Sequence, residues 1–98
     1  MYAVIFRATI NTLDSQYSEM AAKLREIAMN QFQCSEFVSL TEGNQEIAVS
    51  YWPSQEAIRD WKQHSEHLVA QQLGKDTWYK QYSVDVVEIK RSYQSQTK

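Results

Sequence analysis

Apolar residues in this chain change their spacing in a set order, from alternate positions to three- and four-residue steps and back again, and that order restricts the folds open to it. Tyr2 to Thr9 is short, rich in β-branched and aromatic residues, and reads as a strand. Asn11, Thr12 and Asp14 then offer short polar side chains of the kind that start helices. From Tyr17 the period lengthens: Tyr17, Met20, Ala21, Leu24, Ile27 and Ala28 form an apolar stripe, which predicts a long helix ending near Asn30 to Gln33. Two strands follow, Glu36 to Thr41 and Gln45 to Trp52, joined by the turn residues Glu42-Gly43-Asn44. In the second strand Ile47, Val49 and Tyr51 alternate with Ala48, Ser50 and Trp52. Pro53 stops it, and Ser54 is placed to cap a helix whose apolar face holds Ala57, Ile58 and Trp61. A polar stretch from His64 to Glu66 predicts a kink before a second helical piece with Leu68, Val69, Gln72 and Leu73, which Gly74 can end. After Trp78, Tyr79 and Tyr82, the run Val84, Val86, Val87, Ile89 predicts a last strand. The order β-α-β-β-α-β is the ferredoxin-like α+β arrangement, an antiparallel sheet with helices on one face.

Length allows one domain, 1–92, with a polar tail at 93–98. A chain of 98 residues buries only about 60–65% of the surface its unfolded form exposes. Such a domain often gains stability by burying more apolar surface in an oligomer, so a homodimer is expected. With 10 Lys and Arg against 12 Asp and Glu, and no basic stripe, a nucleic-acid partner is not expected. The single Cys34 permits no internal disulfide and fits a reducing compartment. No apolar stretch approaches the roughly 20 residues of a membrane helix, and the apolar opening before Arg7 is too short for a signal peptide. A cytoplasmic location and no membrane partner follow as expectations.

The stretch from Ser50 to Tyr82 carries the candidate chemistry. Trp61, His64 and His67 lie three apart on the second helix, and Gln71 continues the row one turn beyond His67. If that row faces the sheet, an indole, two imidazoles and an amide line one wall of a cavity, with Trp78, Tyr79 and Tyr82 at its rim. Apolar walls with a few convergent polar groups suit a small molecule. Each residue also has a structural reading: Trp61 as core, His64 as a solvated residue, His67 as a hydrogen-bonded structural histidine, Trp78 and Tyr79 as packing. Two histidines and one distant cysteine do not make a tetrahedral metal site, so no metal is expected. The sequence has no Gly-rich phosphate loop, no G-x-S-x-G elbow and no CxxC. Cys34, near a helix end, lacks the setting of a nucleophile, and Glu56 with Asp60 reads as a solvated pair.

The opening strand Tyr2–Thr9, the passage Val49-Ser50-Tyr51-Trp52-Pro53-Ser54-Gln55-Glu56-Ala57, then Trp61, His67, Trp78-Tyr79 and the valine-rich last strand resemble the antibiotic biosynthesis monooxygenase-like family of the dimeric α+β barrel superfamily. The resemblance runs to about Arg91 and reports fold more than activity. It implies two ferredoxin-like protomers packed sheet to sheet as a barrel, each with a pocket between sheet and helices. It also implies cofactor-independent oxidation of a small aromatic or quinone-type molecule. There the substrate reacts with oxygen as an electron-rich anion, while the protein binds, orients and handles protons. On that reading Trp61 and His67 are catalytic, with His67 for proton transfer, and His64, Gln71, Trp78, Tyr79 and Tyr82 bind substrate. Other members bind and degrade haem with an Asn on the first strand, a Trp resembling Trp61 and a His about ten residues later. This chain has Phe6 or Arg7 and Gln71 at the first and last of those places. Haem binding or degradation is therefore the second reading, and a non-catalytic dimeric small-molecule-binding domain the third.

Overall fold

A computed structural model describes residues 1–11, 15–73 and 79–96. Its elements are β1 (Tyr2–Ile10), α1 (Ser15–Gln31), β2 (Glu36–Glu42), β3 (Gln45–Trp52), α2 (Gln55–Leu73) and β4 (Tyr79–Glu88). The strands form one antiparallel sheet in the order β2-β3-β1-β4, so the first strand in sequence is central. Trp78, Gly74, Thr12 and Asp14 lie outside the described residues.

Register decides what each face carries. β1 pairs with β3 so that Tyr2 meets Trp52, Val4 meets Ser50, Phe6 meets Ala48 and Ala8 meets Glu46. Directly paired residues share a face, so these eight look the same way, toward the helices. Val4, Ala8, Ala48, Ser50 and Trp52 are buried there. The burial edge of α1 runs through Tyr17, Met20 and Ala28, with Leu24 and Ile27 half-buried and Ala21 exposed. That of α2 runs through Ala57, Ile58, Trp61 and Ser65.

Trp52 is the centre of the core, fully enclosed beside Val4, Ala28, Cys34 and Ile58. Its indole N–H donates to Ser50 Oγ at 2.8 Å, so the buried polar atom is satisfied. Trp61 comes down from α2 onto it, ring centroids 5.3 Å apart, and meets Phe37 of β2 at 6.1 Å.

Local chemistry sets the element ends. Ser54 Oγ accepts the Ala57 N–H at 3.2 Å, the N-cap expected of it. α1 ends with Gln33 at φ 67°, and Cys34 N–H returns to the Ala28 carbonyl at 3.1 Å. A residue in the left-handed region ends the helix here without glycine, and the returning N–H satisfies a carbonyl of the last turns. Gly43, at φ 62°, takes the first place of the two-residue β2–β3 loop, where a tight hairpin needs a positive φ.

Two expectations need correction. α2 is one continuous helix, with no kink from His64 to Glu66. His64 and Glu66 face solvent, and buried Ser65 ties its hydroxyl to the Lys62 carbonyl at 3.0 Å. β4 begins at Tyr79 and stops at Glu88, so Tyr79 and Tyr82 belong to the strand and Ile89 lies beyond it.

The sheet's other face has no helix over it. Val38, Leu40, Ile47 and Val87 are exposed there, with Val38 opposite Val49 and Leu40 opposite Ile47. Among the described residues no helix is long and apolar enough to cross a membrane.

Gln33→Gly is expected to raise the unfolding free energy by about 0.5–1 kcal/mol, because it removes the penalty of a side chain at positive φ. Trp52→Ala is expected to cost about 3–5 kcal/mol. Urea unfolding followed by circular dichroism reads both changes.

Candidate functional site

Cover over the helix-side face is uneven, and that unevenness makes a site. On β1 and β3 most of this face is covered, with Val4, Ala8, Ala48, Ser50 and Trp52 buried and Tyr2, Phe6 and Glu46 half-buried. On β4, Val84 pairs with Phe6 and Val86 with Val4, so both look to the helix side. Yet Val84 is 42% exposed, Val86 49% and Tyr82 61%, so this stretch of the strand is left uncovered.

Aromatic rings gather at the end of this open strip. Phe6 meets Tyr79 edge-on at 5.4 Å and lies over Tyr82 at 5.9 Å, near parallel. Tyr79 and Tyr82 are 5.7 Å apart, and Tyr17 of α1 meets Tyr79 edge-on at 6.1 Å. The result is a shelf: Phe6, Val84, Val86 and Tyr82 form its surface, with Tyr79 and Tyr17 at its back.

A carboxylate stands behind the rings. Glu46 takes the inward register at the start of β3, opposite Ala8, and is half-buried. The Tyr17 hydroxyl donates to Glu46 Oε1. Tyr17 and Tyr79 are also hydrogen-bonded to each other. Burial, then the bond to Glu46, pushes the Tyr17 phenol far above its ordinary 10.0. Burial raises Tyr79 as well, with the bond from Tyr17 working against it. Tyr17 therefore stays a protonated donor, and Glu46 is its acceptor.

The residues singled out in the sequence fall into separate places. Tyr79 and Tyr82 are on the shelf. Trp61 is in the core, half-buried between Trp52 and Phe37, and its indole N–H donates to the Leu24 carbonyl at 3.3 Å. His64 is exposed at the junction of the two helices, its ring 5.4 Å from Phe32. His67 is exposed on α2. Six residues of α-helix turn it about 120° away from Trp61. Gln71 lies on α2, with its side chain outside the description, and Trp78 lies outside the described residues altogether. Among the described residues, no three of His, Cys, Asp and Glu come together to hold a metal. Cys34 is buried, its sulfur 3.2 Å from the Glu36 carbonyl, and burial pushes its thiol up.

Phe6, Tyr17 and Glu46 were not singled out as site residues in the sequence. One signal was present. The inward alternation Ala48, Ser50, Trp52, extended one step back, lands an acid on the covered face at Glu46.

No known family model matches the chain. The uncharacterized protein YqjZ of Bacillus subtilis (strain 168) is 38% identical over 92 residues, which spans 92% of this chain and 80% of that protein. Among solved structures, a variant of SnoaB, a cofactor-independent oxygenase from Streptomyces nogalater, superposes with a TM-score of 0.72 at 13% identity, covering 96% of this chain and 97% of SnoaB. A variant of MhuD with two manganese protoporphyrin IX molecules bound per active site gives a TM-score of 0.65 at 12% identity, over 97% and 100% of the two chains. A putative antibiotic biosynthesis monooxygenase from Deinococcus radiodurans gives 0.55 at 12% identity, over 99% of this chain and 100% of that one.

The raised phenols fix the sign of an alkaline prediction. Tyr17 and Tyr79 hold their protons more tightly when folded than when unfolded. The stability they contribute is complete below about pH 10 and is lost as pH rises beyond it. Tyrosinate absorbance is expected to show a late step that coincides with loss of the far-ultraviolet dichroism. Tyr17→Phe is expected to shrink that step.

Proposed function

We propose that this chain, which belongs to the family of Bacillus subtilis YqjZ and has the antibiotic biosynthesis monooxygenase-like fold, binds a small aromatic molecule on the shelf beside Tyr79 and acts on it as a monooxygenase-like protein. The carrying observation is the exposed strip of Tyr82, Val84 and Val86, with half-buried Phe6 beside it, on the helix side of the sheet. Water-exposed rings and valines beside a buried hydroxyl and a half-buried carboxylate offer a flat ligand both stacking area and a polar anchor. SnoaB supports the oxygenase part of this reading, since it works without a cofactor on the same fold. Chemistry of that kind asks the protein for orientation and proton handling.

In this reading Tyr79 and Tyr82 bind the ligand, and Phe6 stacks on it. Trp61 holds the helix against the sheet through Trp52 and Phe37. His67 joins the proton-handling groups when a bound ligand extends toward α2. Loss of turnover in His67→Ala, with binding intact, places it there. Phe6→Ala is expected to weaken binding of a naphthol by about tenfold, read by fluorescence titration. Oxygen uptake with model phenols then separates an oxygenase from a domain that binds and does not turn over.

Two copies are proposed to pack through the uncovered sheet face, where Val38, Leu40, Ile47 and Val87 stand in water in the single chain. Sedimentation is expected to show a dimer that Leu40→Glu converts to monomer. A monomeric wild type at micromolar concentration ends the barrel reading.

The likeness to MhuD raises a porphyrin ligand as a second reading. The residues present do not fit a haem-degrading centre of the kind the family resemblance implies. Trp61 is committed to the core and to the Leu24 carbonyl, and His67 stands exposed. Titration with haem decides: a stoichiometric Soret band lost in His67→Ala restores that reading, and no specific band removes it.

A further inference from the structure

We infer that Arg7 and Asp85 make reciprocal ion pairs between two copies of this chain and so fix the register in which their uncovered sheet faces meet. The inference rests on the two-copy packing proposed above and adds which residues recognise the second copy.

The uncovered face is apolar with a couple of opposite charges set into it. Register puts Ile5 and Arg7 of β1 on that face, Ile5 between Val49 and Asp85, Arg7 between Ile47 and Ser83. Among the paired residues of the sheet, Arg7 is the one cation on this side, and it stands on the central strand. Glu36 and Glu42 are on the same side but at the two ends of the edge strand β2. Asp85 is the acid beside Arg7, one diagonal step away on the adjacent strand, a separation of about 7–8 Å. Both residues are exposed, and neither has a hydrogen bond or an ion pair among the described residues. Such charges cost little while water reaches them. Neither can be buried alone.

Two-fold symmetry supplies the partner. When residue i touches residue j of the second copy across such an axis, j touches i. A neighbouring cation and anion therefore match the same pattern turned through half a circle. Arg7 meets Asp85 of the second copy, and Asp85 meets its Arg7. A hollow of about 370 Å³ opens beside Arg7, with Thr9, Gln45, Gln81 and Ser83 in its lining, and Asp85 of the same chain is not part of that lining. An incoming carboxylate finds room there, with hydroxyls and amides to complete its hydrogen bonds.

What the pairs contribute is alignment. Apolar burial is non-directional, so two faces rich in valine and isoleucine can stack in several registers of similar area. A slipped or inverted stacking sets Arg7 on an aliphatic side chain or on a second Arg7. Ion pairs at such a place add little net affinity and penalise every wrong alignment.

Sedimentation of charge-reversed full chains tests this. Arg7→Asp leaves two acids at the pair, and Asp85→Arg leaves two cations. Each variant alone is expected to dissociate at least about a hundredfold more readily than the wild type. Mixed in equal amounts, the two are expected to form a dimer, because every contact between copies then joins opposite charges. Pairing inside each chain gives no such rescue. Circular dichroism checks folding; where a variant is unfolded alone, the mixture is expected to recover its helical signal together with the dimer. Variants that each dimerise as tightly as the wild type overturn the inference and leave the sheet-face dimer standing. Variants that stay monomeric after mixing overturn it as well. A wild type that is monomeric at micromolar concentration ends the dimer reading and the inference together.

Discussion

The enclosure of one indole holds this fold together. Trp52 closes β3, stands across from Tyr2 of the central strand, satisfies its N–H on Ser50 and carries Trp61 of α2 on its ring. Both layers meet at this residue, so the position of α2 over the sheet is set by two indoles packed at a tilt at one end of β3. Glu46 lies at the other end of the same strand, on the same face. The strand therefore runs from the mechanical centre of the molecule to the acid behind the shelf.

This separation of duties explains why the shelf can stay open. Core packing is concentrated over β3 and β1, where Ala48, Ala8 and Val4 let the helices approach closely. Little is asked of β4 beyond its pairing with β1. Its valines and Tyr82 are left with apolar area facing water, a costly arrangement for residues that serve packing alone. The large aromatic at the rim and the small residues in the interior are two sides of one distribution.

Much of this was legible in the sequence, and the failures share a cause. The order of periods set out the β-α-β-β-α-β path, and the alternation in β3 separated its two faces, while only the structure shows that Ala48, Ser50 and Trp52 are on the covered one. Ser54 declared its cap. The row Trp61, His64, His67 misled, because steps of three fall about 60° short of a full turn each time and drift around the helix. Trp61 faces the core and His67 is exposed. A polar run inside α2 suggested a break, although a helix needs only one apolar face to continue. Glu46 escaped notice because an acid beside a turn is ordinarily solvated. Only its partner, 29 positions earlier on α1, gives it meaning. Pairings of that kind are set by tertiary structure, and no local pattern announces them.

The central place of β1 has a consequence for how the chain reaches this structure. Tyr2–Ile10 must find β3 on one side and β4 on the other, and Tyr2 ends up opposite Glu88. Neither neighbour is local, so most sheet closure waits on long loops and folding belongs to the slower, high-contact-order class. During synthesis the Tyr2–Ile10 segment emerges before either of its strand partners and stays unpaired until the β2–β3 hairpin has left the ribosome. An unpaired strand of that composition is a site for association with other nascent chains. The fold that gives β1 two partners at the end makes it the segment most in need of protection at the start.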